Sequence, residues 1–450
     1  EDEEVLHPQE HIGGFLDAFY NLSGADGELD KLVAIFLEGI QDPVSSREGG
    51  LIPLGKKAKA HHKKDELAQG ERLLKILISQ IKASRIVQGK SMSHEFVYRI
   101  ESSVGVLIRI LDSIDEEEGS EAEQAEKEQL LKSRQDMLNS FGGSEVALML
   151  ASCQDDDLSK AGLELAVNLL RRGNRDVQNT MMQALTATGR RAADIRPFDG
   201  TEGSLVLSLR QRLRLAVKEI RERKTHLEVQ EEKRAALEEI KDTLSAATRV
   251  AMQQEADQSF PEKAFATRTL ELVRLLCEGH NNAMQDYLRE QPAQNTAIDI
   301  WSAVTDLVIN LDFELDSSNF EILEKCLETL VEGTQGNLSQ FVSDALLETK
   351  LLDALDRLLD PARELGSSVA GKFKLDKEKL CSMHHGVILL LKAMCEGTES
   401  KAEKRCLGQM QLDYISALAN EYYKNWLTDR KELRKLELNP LSKKADIKKR

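Results

Sequence analysis

An apolar helical run that ends at a glycine turn and restarts as a glutamine-bearing helix recurs along this chain of 450 residues. The clearest copies read LAVNLLRRGNRDVQNTMMQAL at residues 165–185 and LLCEGHNNAMQDYL at residues 275–288. Gly173 is able to adopt the left-handed conformation that closes a helix, and Asn174 is able to cap the helix that follows. A repeated helical unit of this kind predicts a stack of paired helices.

The repeat is degenerate and carries insertions. Weaker copies lie at residues 327–341 and 389–407, and the four helix ends are unevenly spaced, at Gly173, Gly279, Gly333 and Gly397. Hydrophobic residues make up 41% of the chain but aromatic residues only 4%, as expected for cores built from aliphatic side chains at helical spacing. We therefore predict an all-α, armadillo/HEAT-like helical solenoid.

Composition divides the predicted solenoid into five parts. The charged part at residues 196–260 contains a heptad-like stripe that fades after about two heptads. This pattern favours a long helix, or a broken helical pair, that projects from the stack. The predicted parts are an N-terminal helical solenoid portion (1–128), armadillo-like repeats (129–195), a charged long-helix insertion (196–260), C-terminal armadillo repeats (261–430) and a basic tail (431–450). Because the chain starts at Glu1 without a methionine, we expect it to be a piece of a longer polypeptide.

Charge and cysteine usage exclude several classes of partner. A net charge of −16 argues against nucleic acid or a polyphosphate ligand, because phosphate binding needs clustered lysine and arginine. The six cysteines are scattered without a CxxC motif, so we expect them to be buried and reduced. No run of eighteen apolar residues and no signal peptide is present, which predicts a soluble chain without a membrane span.

No catalytic signature is found, and we predict that the chain is not an enzyme. It lacks a nucleophile elbow, a phosphate-binding loop, a dinucleotide fingerprint and a zinc-protease motif. His384 and His385 are interpreted as capping or core residues, and Cys277 with His280 as parts of a helix core and a helix start. The basic cluster at residues 56–64, which includes His61 and His62, is interpreted as a solvated loop.

Two glutamates stand at helix ends where an acid is unfavourable. Glu278 precedes Gly279 and Glu332 precedes Gly333, and a carboxylate at a helix C-terminus costs roughly 0.3–1 kcal/mol without a nearby positive charge. A Ca²⁺ ion takes six to eight oxygen ligands, and the two carboxylates with the Gln335 amide would supply part of that set. Such a half-site would tighten only when another segment docks against it. Solvation of both acids is the alternative, since Glu396 shows the same ending without an evident partner.

The same segments carry a family resemblance. Residues 275–291 and 327–337 closely resemble paired segments of the intracellular calcium-release channels, the ryanodine and inositol trisphosphate receptors. Residues 169–185 and 388–423 are similar to the same family. The stretch at residues 242–257 looks like the inositol trisphosphate receptor, whereas CEGHNN at residues 277–282 is closer to the ryanodine branch. We interpret the chain as nearer to the inositol trisphosphate receptor.

The resemblance implies a late cytosolic armadillo region that couples ligand binding to the pore. It implies an activating Ca²⁺ site with Glu278 and Glu332 as acidic ligands, Gln335 as a further contributor, and a last ligand from a segment outside this chain. It also implies a homotetrameric channel at the cytosolic face of the endoplasmic reticulum, with other domains of the same polypeptide as partners. The alternative is a non-catalytic helical-repeat adaptor that binds partner helices without metal.

Overall fold

The computed structural model describes residues 69–84, 93–114, 121–187, 197, 204–239, 262–292, 297–337, 341–361, 375–396 and 401–437. These residues form sixteen helices and no strand, which confirms the predicted all-α fold. Residues 1–68 of the predicted N-terminal solenoid portion, which include the basic cluster at residues 56–64, lie outside them. None of the described helices is long and apolar enough to cross a membrane.

The described residues fall into two compact units. The first unit draws on Glu1–Arg212 and Ala264–Ile300, and the second on Leu213–Lys263 and Trp301–Arg450. In chain order the helices up to the long insertion are α1 Gln69–Ala83, α2 His94–Asp112, α3 Glu121–Ser140, α4 Gly143–Ala151, α5 Asp156–Leu170, α6 Arg175–Leu185 and α7 Leu205–Glu239. The others are α8 Glu262–Cys277, α9 Asn282–Arg289, α10 Ile300–Glu314, α11 Phe320–Thr334, α12 Phe341–Leu347, α13 Leu351–Leu358, α14 Lys377–Met394, α15 Lys401–Gln409 and α16 Leu412–Glu437.

Side-chain caps mark where three helices of the first unit, α2, α5 and α6, begin. The Ser93 side chain accepts a hydrogen bond from the Phe96 N–H at the start of α2, and Asp155 accepts one from Leu158 at the start of α5. Asn174 accepts hydrogen bonds from the first N–H groups of α6, which confirms the cap predicted from the sequence. Each cap satisfies a backbone donor that has no partner within its own helix.

The helices of the first unit bury aliphatic faces at helical spacing. In α2 the buried side chains include Val97, Ile100, Val104, Leu107 and Leu111, none more than 8% exposed. Helices α4 and α5 approach each other closely at Gly162, where an added Cβ would lie 2.6 Å from the carbonyl carbon of Leu150. Aliphatic packing and one close backbone contact therefore hold this part of the stack together.

The second unit is organised around a tryptophan. Trp301 at the start of α10 is fully buried, and its ring lies directly against the backbone of Gly333 in α11. Three turns further along α10, the fully buried Asp312 carboxylate accepts hydrogen bonds from Arg357, whose guanidinium also lies 4.9 Å from the centre of the Phe313 ring. A buried carboxylate is tolerated here because an arginine pairs with it.

The predicted helix end at Gly333 is wrong. Helix α11 continues through Gly333 to Thr334, and the left-handed residue that follows it is Gly336, with a φ of 70°. A glycine stands at position 333 because the Trp301 ring leaves no room for a Cβ atom. Gly397, the fourth predicted helix end, lies outside the described residues.

Four of the six cysteines are buried, as the sequence predicted, and two are not. Cys153, Cys277, Cys326 and Cys406 are buried, whereas Cys395 is half-buried and Cys381 is exposed. Burial raises the pKa of the Cys406 thiol to about 12, so this side chain stays protonated at neutral pH.

His384 anchors the last described helix. It lies inside α14, only 8% exposed, and its Nδ1 atom is 2.7 Å from the hydroxyl of Tyr422 on α16. Most described side chains of α16 face solvent, and Leu418 is buried at 4% exposure. Burial lowers the pKa of His384, while a hydrogen bond to the Leu358 backbone and the charge of Glu421 partly oppose this. The imidazole is therefore neutral at pH 7. Because burial raises the pKa of Tyr422 to about 12, the Tyr422 hydroxyl keeps its proton and donates a hydrogen bond to Nδ1 of His384.

We expect acid to weaken this contact. The folded-state pKa of His384 lies below its ordinary value of 6.5, so its contribution to stability is complete above that pH and is lost as the pH falls through it. The melting temperature should fall between pH 7.5 and pH 5.5, and His384→Gln, which keeps an acceptor for Tyr422, should flatten that fall. His385→Gln is the control, because His385 is exposed. An equal flattening by both variants would contradict the assignment.

Candidate functional site

The end of helix α8 places Glu278 at a tight left-handed turn. Glu278 follows the last helical residue, Cys277, and the next two residues, Gly279 and His280, have φ values of 75° and 62°. In the preceding repeat the two left-handed residues are Arg172 and Gly173, each with a φ of 67°. The backbone therefore pairs Gly173 with His280.

A sequence alignment that matches Gly173 with Gly279 is therefore shifted by one residue from the alignment that the backbone angles give. With Gly173 paired to His280, Gly279 takes the place of Arg172 and Glu278 takes the place of Arg171. In the earlier repeat, Arg171 pairs with Asp112 of α2 at 3.1 Å. An acidic residue in the later repeat thus occupies the position of a basic one, and the helix end does not require a carboxylate.

A buried glutamine closes each of these helix ends. The Gln178 side-chain amide donates hydrogen bonds to the carbonyls of Leu275 and Glu278, at 2.8 and 3.0 Å. The Gln135 amide makes the same two bonds to Asn168 and Arg171, both at 2.9 Å. Carbonyls at a helix end lack partners within the helix, and these amides supply them. The repeated glutamine was visible in the sequence, but its role of fixing the next repeat's helix end was not.

Two arginines lie at the helix end that carries Glu278. The nearest Arg274 nitrogen lies 3.6 Å from Oε2 of Glu278, and the Arg175 guanidinium donates a hydrogen bond to the Gly279 carbonyl. The sequence-based premise that this helix end lacks a positive charge is therefore wrong. Oε2 of Glu278 is nevertheless buried and accepts no hydrogen bond, although the whole side chain is 30% exposed. That oxygen is therefore paired through charge with Arg274 and not through a hydrogen bond.

Glu332 and Gln335 belong to the second unit. Both side chains are half-buried at the end of α11, and the Gln335 N–H donates to the Val331 carbonyl at 2.8 Å. The Gly336 N–H donates to the carboxylate of Glu396 at 3.0 Å, a partner for Glu396 that the sequence did not show. Glu396 therefore lies beside the turn that follows Glu332, where its carboxylate satisfies a backbone donor.

The sequence-predicted ligands are divided between the units. Glu278 lies in the first unit, while Glu332 and Gln335 lie in the second. Across the part of the chain that the structure describes, no group of three or more histidine, cysteine, aspartate or glutamate side chains is arranged to hold a metal ion. Cys277 is buried in α8, as expected for a helix-core residue, whereas His280 is exposed in the left-handed turn and helix α9 begins two residues later, at Asn282.

Comparisons with known proteins bear on this region directly. Residues 261–359 match the family model described as RyR and IP3R Homology associated, and this range contains Glu278, Glu332 and Gln335. The crystal structure of an engineered protein aligns with 99% of this chain and 94% of its own at 12% identity, but with a TM-score of 0.23. That second likeness is too weak to inform the fold. The match over residues 261–359 supports a relationship between this chain and the ryanodine and inositol trisphosphate receptors.

Proposed function

We propose that this chain is a non-catalytic helical regulatory segment of an intracellular calcium-release channel, facing the cytosol at the endoplasmic reticulum membrane. The observation that carries the proposal is the family match, because residues 261–359 include all three sequence-predicted ligands. Its partners would be other domains of the same polypeptide, within a homotetramer. The segment would transmit ligand binding toward the pore through stacked helices.

We further propose that Glu278 and Glu332 are carboxylate ligands of an activating Ca²⁺ site, with Gln335 contributing an amide oxygen. The chemistry of these residues fits, because Ca²⁺ prefers carboxylate and amide oxygens. One oxygen of Glu278 accepts no hydrogen bond and meets the Arg274 guanidinium only at 3.6 Å, so a cation that binds there displaces no hydrogen bond. When bound, the ion supplies positive charge that favours one arrangement of the segments holding it. Gln178 and Arg175 fix the backbone on which Glu278 stands.

The assignment of this chain to one of the two receptor branches is also a proposal. The matched family model names both receptors and does not distinguish them. We favour the inositol trisphosphate receptor because of the sequence at residues 242–257, which lies outside the described residues.

Neutralising either glutamate should weaken activation by Ca²⁺. In the channel that contains this segment, Glu278→Gln and Glu332→Gln should each raise the Ca²⁺ concentration for half-activation by about tenfold, since charged ligands set the affinity of calcium sites. The measurement is single-channel open probability across a Ca²⁺ titration. Glu290→Gln is the matched control, because Glu290 is an exposed glutamate at the end of the neighbouring helix α9. Unchanged activation in both variants would favour the metal-free adaptor instead.

A further inference from the structure

Three charged residues follow one face of helix α8. Glu271, Arg274 and Glu278 are spaced three and four residues apart, which brings their side chains together along the last two turns. All three are largely shielded, with side chains 17%, 22% and 30% exposed. The arginine thus lies between two carboxylates, one of which is the proposed ligand Glu278.

The contacts of Arg274 with Glu271 and with Glu278 are unequal. Its Nη2 and Nε atoms donate hydrogen bonds to both carboxylate oxygens of Glu271, at 2.8 and 3.2 Å. Its Nη1 atom approaches Oε2 of Glu278 only to 3.6 Å, and that oxygen accepts no hydrogen bond. Glu271 therefore holds the orientation of the guanidinium, while Glu278 receives its charge without a bond that would have to break.

The preceding repeat lacks this arrangement. In the register set by the left-handed turns, Val167 takes the place of Arg274 and Arg171 takes the place of Glu278. Glu164, which takes the place of Glu271, pairs instead with Arg268 at 2.8 Å. The helix end closes through its glutamine in both repeats. The Arg274–Glu278 contact is therefore not required by the repeat itself.

We propose that Arg274 is a built-in countercation that sets how strongly Glu278 attracts a divalent cation, and that Glu271 holds it in place. This inference rests on the proposed function. A guanidinium beside a carboxylate competes with any second cation for the same negative charge. When a cation is bound at Glu278, Arg274 keeps its two hydrogen bonds to Glu271 and remains neutralised. Arg274 is thus a positioning residue that lowers the affinity of the site.

Removing the charge of Arg274 and removing the charge of Glu271 should change the Ca²⁺ affinity in opposite directions. In the full channel, Arg274→Gln should tighten Ca²⁺ binding by roughly threefold or more, because the competing charge is removed. Glu271→Gln should weaken it, because the released arginine can bond to Glu278 directly. The measurement is equilibrium binding of radioactive Ca²⁺ to the purified channel, with activation curves recorded in parallel. Arg268→Gln, the same charge change on the same helix, is the control and should leave binding unchanged.

The outcomes separate this inference from the proposed function. If Glu278→Gln weakens binding but Arg274→Gln leaves it unchanged or weakens it, the countercation role is wrong and the site stands. If Glu278→Gln leaves binding unchanged, the proposed site itself is wrong. Shifts in the same direction for Arg274→Gln and Glu271→Gln also overturn the inference. Should Arg274→Gln lower the melting temperature, Arg274→Lys tests the geometry, because lysine keeps the charge without the two-pronged bond and should tighten binding less.

Discussion

Replacing Gly162 with alanine should destabilise the first unit by roughly 1–3 kcal/mol, the usual cost of adding a methyl group to a filled core. The added Cβ would overlap the backbone nitrogen of Ala151 and lie 2.6 Å from the carbonyl carbon of Leu150. These are backbone atoms of α4, which cannot rotate away as a side chain can. Relief therefore requires α4 and α5 to move apart, and both helices are buried along most of their length.

Chemical unfolding of the chain, followed by helical circular dichroism, measures this cost. Gly105→Ala is the matched control, because Gly105 also lies within a helix of the first unit but nothing approaches its position within 4 Å. Alanine is a better helix former than glycine by about 1 kcal/mol, so this control should be neutral or stabilising. A similar loss of stability in both variants would show that the close approach of α4 and α5 does not limit the fold.

The repeat could be predicted from the sequence because the residues that end one helix and begin the next interact with partners only a few positions away in the chain. Asn174 caps α6 through N–H groups two and three residues away, and the left-handed turn at Gly173 adjoins it. Spacing of this kind is readable from the sequence alone. At Gly333 the same Glu-Gly pattern gave the wrong helix end, because the partner that demands a glycine is Trp301 on another helix. A turn glycine and a packing glycine look alike until the tertiary contact is known.

The candidate site, like the repeat, could be predicted from the sequence only where the interacting residues are close together in the chain. Glu278 does stand at a helix end, as the sequence predicted, and its countercharge Arg274 was visible four residues earlier on the same face. The contacts from Arg175 and Gln178 come from the preceding repeat, across the long insertion, and no local pattern indicated them. Joint binding of one ion by Glu278 and Glu332 stays a prediction, because the two residues belong to different units.

Gly333→Ala should destabilise the second unit by roughly 1–3 kcal/mol, and the reason is packing rather than backbone conformation. The added methyl group would overlap the ring of Trp301, with the ring atom Cε3 at 3.0 Å. Trp301 is fully buried, so its ring cannot move without disturbing the core. Any shift of α11 also moves Glu332, the residue directly before Gly333. If Glu332 is a Ca²⁺ ligand, as proposed, the Gly333→Ala variant should also need a higher Ca²⁺ concentration for half-activation.

A double-mutant cycle with Trp301→Leu isolates the cause. The leucine variant is itself destabilised, because it leaves a cavity in the core. In that background Gly333→Ala should cost at least about 1 kcal/mol less than in the parent chain, since neighbouring residues couple by roughly 0.5–3 kcal/mol. Gly408→Ala, in helix α15 with nothing within 4 Å, is the uncoupled control. Equal costs in both backgrounds would mean that Gly333 is needed for the backbone alone. A coupled cost would instead show that position 333 needs a glycine because the Trp301 ring packs against it.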